Sequence, residues 1–100
     1  MEIIHDKDKQ AFRVEVDGHK AHLTYQLIDG GLDVRHTLVP TEINGRGIAS
    51  ALVKAAYDYA LANNLKPVAT CSYAVVWLER HPEYQGAVGK DYGGEGTCAL

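Results

Sequence analysis

A short loop, Asn44-Gly45-Arg46-Gly47, leads directly into the longest apolar pattern of helical spacing in the chain, which begins at Ile48. The first N–H groups of a helix have no partner within the helix, and the helix dipole adds partial positive charge at the same end. The two glycines lack a Cβ atom and let a ligand approach the backbone amides closely, while Arg46 adds a permanent cation. The loop therefore has the composition of an anion-binding site, with phosphate as the typical anion.

Two other side chains near this loop could take part in proton transfer or nucleophilic attack. His36 lies near the end of the segment that feeds the loop, and imidazole, with an ordinary pKa near ~6.5, can accept a proton at neutral pH. It alternates with apolar residues, so the pattern predicts it on the apolar face, where a buried structural histidine is the alternative. Cys71 precedes a second helical pattern, and a thiol at a helix N-terminus is a stronger nucleophile. Its alternative is an inert core residue.

The segments that precede the loop in sequence have the pattern of β-strands. Apolar and polar residues alternate over 12–16, 21–27 and 32–38, which predicts half-buried strands, and the turn sequences Asp17-Gly18 and Asp29-Gly30-Gly31 separate them. Residues 2–5 predict a short leading strand. The first forty residues are therefore expected to form an antiparallel meander.

Beyond the loop the period changes to that of a helix, predicted over 48–63. A buried strand over 67–71 follows and should run parallel to the strand at 32–38, because a strand, helix and strand in succession form a crossover. A shorter helix over 73–80 ends before His81-Pro82. The predicted fold class is α/β of the α+β type: a mixed, mostly antiparallel sheet with one parallel strand pair joined by a long helix, plus a short C-terminal helix. The glycine-rich tail from about 86 to 100 is predicted to be loose.

Composition narrows the function classes. One hundred residues are expected to form one domain. The net charge of -3 and the absence of a basic run argue against nucleic acid, but leave a phosphorylated small molecule possible. No membrane-spanning run or signal peptide is recognised, so a cytoplasmic protein is expected. Cys71 and Cys98 are therefore expected to be free thiols, and no metal-ligand spacing is found.

Spacing excludes two common phosphate loops. A P-loop needs Lys followed by Ser or Thr after its last glycine, whereas Gly47 is followed by Ile48 and Ala49. A dinucleotide fingerprint would need a third glycine where Ser50 stands, and an acidic residue where Cys71 and Ser72 stand.

A third signature fits. Asn44-Gly45-Arg46-Gly47-Ile48-Ala49 resembles the Gln/Arg-x-x-Gly-x-Gly/Ala motif of the GNAT superfamily, the Gcn5-related N-acetyltransferases. The minimal branch of that superfamily, of roughly 100 residues, is similar in three further blocks. These are Arg35-His36-Thr37-Leu38-Val39-Pro40, Cys71-Ser72-Tyr73 and Trp77-Leu78-Glu79-Arg80-His81-Pro82-Glu83-Tyr84. The resemblance covers about 12–84. It departs at Asn44, where Gln or Arg is usual, and in lacking the helices that help to wall the acceptor site in larger relatives.

The resemblance implies that acetyl-coenzyme A is the acyl donor and an amine, on a small molecule or on a protein or peptide, is the acceptor. The backbone amides from Arg46 to Ser50 would hold the pyrophosphate, and the pantetheine arm would follow the end of the preceding strand. The predicted cofactor-binding residues are Leu38, Val39, Asn44, Gly45, Arg46, Gly47, Ile48, Ala49 and Ser50. For Arg46 a solvated surface cation is the alternative, and for Ser50 a local helix cap.

The resemblance also favours catalytic roles for His36 and Cys71. His36 would receive the proton of the amine in a direct transfer, and Cys71 would reprotonate the coenzyme A thiolate or form an acetyl-enzyme. The rival hypothesis is a coenzyme A or acyl-coenzyme A binding module without catalysis. A more remote one is an interaction domain in which the glycine loop is only a turn.

Overall fold

The computed structural model describes residues 1–93, and within them the sheet has six strands in sequence order. The strands are β1 (Ile4–Asp6), β2 (Ala11–Val16), β3 (His19–Ile28), β4 (Gly31–Leu38), β5 (Lys66–Ala69) and β6 (Ala87–Val88). Helix α1 (Ile48–Ala62) joins β4 to β5, and α2 (Ser72–Arg80) joins β5 to β6. Strands β1 to β4 are antiparallel, and β4, β5 and β6 are parallel. The predicted fold class is therefore confirmed.

The predicted element boundaries differ from the observed ones by one or two residues. The leading strand is Ile4–Asp6 rather than 2–5, β5 ends at Ala69 rather than at residue 71, and α2 begins at Ser72. Part of the tail that was predicted to be loose instead forms β6, which pairs with β5. The rest of that tail, residues 94–100 with Cys98, lies outside the described residues.

Both helices cover the same face of the sheet. Two successive parallel crossovers that move in the same direction along a sheet place their helices on one side, and the rings of Tyr57 on α1 and Trp77 on α2 are 5.8 Å apart. The apolar stripe of α1 packs there on the inward side chains of β2, β3 and β4 in one core cluster. We call this side the helix face and the opposite side the open face, because within residues 1–93 no helix packs on it. Neither helix in that part of the chain is long and apolar enough to span a membrane.

A β-bulge in β4 changes which side chains reach the core. Tyr25 of β3 pairs with Val34, but the preceding Thr24 pairs with His36, so Arg35 is an extra residue between the two pairs. A bulge shifts the alternation of every later residue on its strand. Val34 and Thr37 are therefore buried, while His36 is exposed on the open face. The expectation that His36 lies on the apolar face is wrong for this reason.

Candidate active site

Strands β4 and β5 pair only along part of their length. Their ladder runs from Gly31 opposite Lys66 to Val34 opposite Ala69. The carbonyl of Val34 then accepts hydrogen bonds from the amides of both Thr70 and Cys71, each at 3.0 Å, and the chain turns into α2. Strand β4 continues to Leu38, paired with β3. We call the region in which residues 35–39 and residues 70–73 diverge the cleft.

The cleft is closed toward the helix face. Thr37 and Cys71 are both buried, and the Sγ of Cys71 lies 3.8 Å from the Oγ1 of Thr37. Cys71 is disulfide-bonded in the structure, so the expectation of a free thiol is wrong for this state. Cys98 lies outside the described residues. A molecule that approaches the cleft perpendicular to the sheet must therefore come from the open face.

His36 stands on that open face, at the side of the cleft. It follows the bulge directly and lies opposite Thr24 of β3. Its exposure leaves the imidazole accessible to solvent and to an approaching molecule. The two predicted catalytic residues thus flank the same cleft, but His36 does so from the open face and Cys71 from the helix face.

The glycine loop has the backbone that its sequence predicted. After β4, Ile43 is buried in a short 3₁₀ turn and anchors the connection. Gly45 and Gly47 both have positive φ angles, +82° and +75°. At each glycine an added Cβ would meet no heavy atom within 4 Å, so the outer side of the loop is open. Only glycine takes such angles without strain, and the side-chain oxygen of Asn44 accepts a hydrogen bond from the amide of Gly45 at 2.9 Å.

The N-terminus of α1 presents amides that nothing in residues 1–93 caps with a side chain. Gly47 is the N-cap, and the first helical hydrogen bond runs from the amide of Ala51 to the Gly47 carbonyl, at 3.0 Å. The amides of Ile48, Ala49 and Ser50 therefore precede the first intrahelical donor. The first turn of α1 carries no acidic side chain. An anion fits this end of the helix both by hydrogen bonding and by charge.

The side chains around these amides are already partly engaged. The guanidinium of Arg46 forms an ion pair with Asp17, in the turn between β2 and β3, and both side chains are substantially exposed. The hydroxyl oxygen of Ser50 accepts a hydrogen bond from the indole nitrogen of Trp77 at 2.9 Å. Its own proton can still be donated to a ligand. Trp77 itself is 5% exposed, so its ring packs in the core.

A polar cluster holds the chain after α2 against α1. Asp58 accepts hydrogen bonds from the Nζ of Lys54 and from the hydroxyl of Tyr84, each at 2.7 Å. Burial alone would raise the pKa of Asp58, but these two donors outweigh it and hold that pKa below its ordinary value. Burial and the contact with Asp58 raise the pKa of Tyr84. The cluster therefore stays ionised at Asp58 and neutral at Tyr84 under neutral conditions.

Sequence reasoning missed a second polar cluster, which lies next to the cleft at the end of the β4–β5 ladder. Asp33 of β4 is 4% exposed and contacts Arg35 and Thr70. Arg35 also contacts Asp91, near the end of the described chain. Thr70 and Asp91 are far from Asp33 in sequence, so no local pattern pairs them. In the sequence Asp33 is simply one of the polar residues that alternate along this strand, so nothing local predicts that it is buried.

Comparison with known proteins gives the same architecture. The profile of the GCN5-related N-acetyl-transferase family matches residues 11–87. Protein NATD1 of Gallus gallus is 34% identical over 85 residues, which cover 82% of this chain and 77% of that protein. Protein NATD1 of Homo sapiens is 36% identical over 81 residues, which cover 78% and 72%. The solution structure of a GCN5-like candidate N-acetyltransferase from Staphylococcus aureus has a TM-score of 0.68 at 31% identity, over 94% of both chains.

Proposed function

We propose that this chain, which belongs to the GCN5-related N-acetyltransferase family, transfers an acetyl group from acetyl-coenzyme A to an amine. The family generally uses an acyl-coenzyme A donor and an amine acceptor. The observation that carries the proposal is a path along the chain: beyond its ladder with β5, β4 leads through a short 3₁₀ turn to the uncapped N-terminus of α1. Such a path suits a linear molecule with a pyrophosphate at one end.

The donor is proposed to bind mainly through the backbone. The amides at the start of α1 would hold the pyrophosphate, while the edge of β4 would hydrogen-bond to the pantetheine amides. Ile48 is 2% exposed, so it can offer only its amide. Leu38 and Val39 are partly buried and offer apolar contact along the path. The proposed donor-binding residues are Leu38, Val39, Asn44, Gly45, Arg46, Gly47, Ile48, Ala49 and Ser50.

His36 is proposed as the general base. An acceptor such as a lysine side chain has an ordinary pKa near ~10.4 and must lose a proton before it attacks. Because the cleft is closed toward the helix face, the amine would approach from the open face, where His36 is exposed. His36 would take that proton before the attack, and the neutral amine nitrogen would then bond to the thioester carbon. The second proton that the nitrogen loses balances the one that the coenzyme A sulfur takes up. The carbon–sulfur bond then breaks, and the electron pair leaves on the coenzyme A sulfur.

Cys71 is proposed to return a proton to that sulfur, or to carry the acetyl group in a two-step route. Either role requires a thiol, so reduction of Cys71 must precede it. A reducing cytoplasm, where we propose that the protein acts, supplies this condition. Direct transfer through His36 requires no acetyl-enzyme and is the simpler route. The open face leaves room for either a small amine or a peptide.

The test measures coenzyme A release by chromatography, with and without reductant, from acetyl-coenzyme A and a panel of amines and peptides. His36→Gln should lower kcat about 100-fold, the scale of general-base catalysis, and leave the Kd of coenzyme A within about 2-fold of the wild-type value. His19→Gln, a partly buried histidine at the start of β3, is the matched control and should change neither quantity. The turnover of Cys71→Ser should be lower than that of the wild-type protein only when both are assayed with reductant.

Two results would refute the proposal in different ways. Coenzyme A binding without turnover on any acceptor would indicate a non-catalytic binding module. Calorimetry without any coenzyme A binding would exclude both this module and the enzyme.

A further inference from the structure

Asp33 is a buried carboxylate that the proposed reaction does not use. It is 4% exposed, and the hydroxyl of Thr70 lies 2.9 Å from each of its oxygens. The guanidinium of Arg35 donates to the same carboxylate at 3.1 Å. Burying a carboxylate costs free energy unless it is paired and hydrogen-bonded, and it does not in general stabilise a fold more than an apolar residue would. Its presence in the sheet therefore points to a task other than packing.

These contacts surround the point where β4 and β5 diverge. Asp33 pairs with Val68, and the next pair, Val34 with Ala69, is the last in the ladder between β4 and β5. Thr70 is the first residue of the departing chain, and Arg35 is the extra residue of the bulge. The carboxylate thus holds both sides of the divergence at once.

The chain after β6 also contacts the point where β4 and β5 diverge. The amide of Gly89 donates to the carbonyl of Ala69 at 2.7 Å, and a Cβ at Gly89 would lie 2.4 Å from the Oγ1 of Thr70. Only a residue without a side chain can approach Thr70 so closely. Asp91 then contacts the same Nη1 of Arg35 that contacts Asp33, at 3.0 Å. One nitrogen of Arg35 therefore joins two carboxylates.

We infer that Asp33 is a positioning residue, which through Thr70 and Arg35 fixes where β4 and β5 separate, and hence the shape of the cleft and the direction of His36. Without this anchor the backbone of residues 70–71 is free to shift along β4, and the bulge is free to relax. The inference rests on the proposed function for its kinetic consequences. Its structural consequence, a fixed divergence point, can be measured without any turnover.

The experiment compares Thr70→Val, which removes the hydroxyl but keeps the shape, with Thr70→Ser, which keeps the hydroxyl, and with Asp33→Asn. We expect Thr70→Val and Asp33→Asn each to raise the Kd of coenzyme A and lower kcat/KM by about 10-fold, and Thr70→Ser to stay within about 2-fold of wild type. Asp6→Asn is the matched control. Asp6 also accepts hydrogen bonds, from Arg13 and from the amide of Lys9, but at the far edge of the sheet. It should change the melting temperature alone.

Amide hydrogen exchange supplies the readout that needs no ligand. In Thr70→Val the amides of Thr70 and Cys71, which donate to Val34, should exchange at least about 10-fold faster than in Thr70→Ser, with the remaining core unchanged. The inference is overturned if Thr70→Val and Asp33→Asn only lose stability, as Asp6→Asn does, while the Kd, kcat/KM and local exchange rates stay at wild-type values. If Asp33→Asn does not fold, the two Thr70 variants decide the matter. Absent turnover in the wild-type protein would remove the proposed function, but would leave the exchange test of Asp33 intact.

Discussion

Replacement of Gly47 by Ala should separate the role of the glycine loop in binding from its role in folding. Gly47 has φ +75°, and Gly30, in the hairpin between β3 and β4, has φ +74°. An added Cβ meets no heavy atom within 4 Å at either position. The conformational cost of Ala should therefore be nearly equal at both, about 1–2 kcal/mol from the strain of a left-handed backbone. For a chain of this size that cost lowers the melting temperature by roughly 4–8 °C per kcal/mol.

The two variants should differ only in the binding of coenzyme A. At Gly47 the new methyl group points to the open side of the loop, where the phosphate oxygens are proposed to approach the amides. Losing one charge-assisted hydrogen bond costs about 1.5–3 kcal/mol, which corresponds to a Kd about 10- to 100-fold higher. Calorimetry with coenzyme A measures the affinity, and urea denaturation measures the stability. Equal affinities in Gly47→Ala and Gly30→Ala would refute the assignment of this loop to the pyrophosphate.

Three further outcomes follow from particular contacts. Asp17→Asn should tighten coenzyme A binding by about 2- to 5-fold in calorimetry, because an exposed ion pair worth about 0.2–1 kcal/mol no longer competes with the ligand for Arg46; unchanged affinity would show that Arg46 does not reach the ligand. Burial lowers the pKa of His5, so the unfolded chain binds the His5 proton more tightly than the folded chain does. The stability that His5 contributes is full above about pH 6.5 and is lost as the pH falls through the folded-state pKa. His5→Phe should therefore reduce the fall in melting temperature between about pH 7 and pH 5, and an unaltered pH dependence would contradict this. Tyr57→Phe should lower the free energy of unfolding in urea by about 1–3 kcal/mol, because the hydroxyl is a buried donor to the Val68 carbonyl at 2.8 Å, whereas no loss would mean that another donor replaces it.

Most of the fold could be predicted because its patterns are local. The alternation in β2 and β3, the helical spacing in α1 and the glycines at positive φ all depend on residues close in sequence. The parallel pairing of β4 with β5 follows from the crossover through α1. Strand β6 was missed because only two residues form it, and they gain strand geometry by pairing with a distant strand.

The site could be predicted only in part, and the bulge at Arg35 shows why. Val34, His36 and Leu38 alternate without interruption, and nothing local marks one extra residue. The bulge depends on pairing with β3 and on contacts from Arg35 to Asp33 and Asp91, of which Asp91 is distant in sequence. The residues of the predicted site were therefore named from sequence, whereas the face that His36 occupies could not be.

One extra residue gives the cleft two properties that the proposed chemistry needs together. Without the bulge, His36 would keep the parity of Val34 and point into the core under α1, where no acceptor could reach it. The bulge turns His36 to the open face next to the position where β4 loses its partner β5. The proposed donor would then lie along β4 beyond Val34, while the amine would come from the open face. Because the same Arg35 is tied to Asp33 and Thr70, a change in either contact should affect the donor path and the base together.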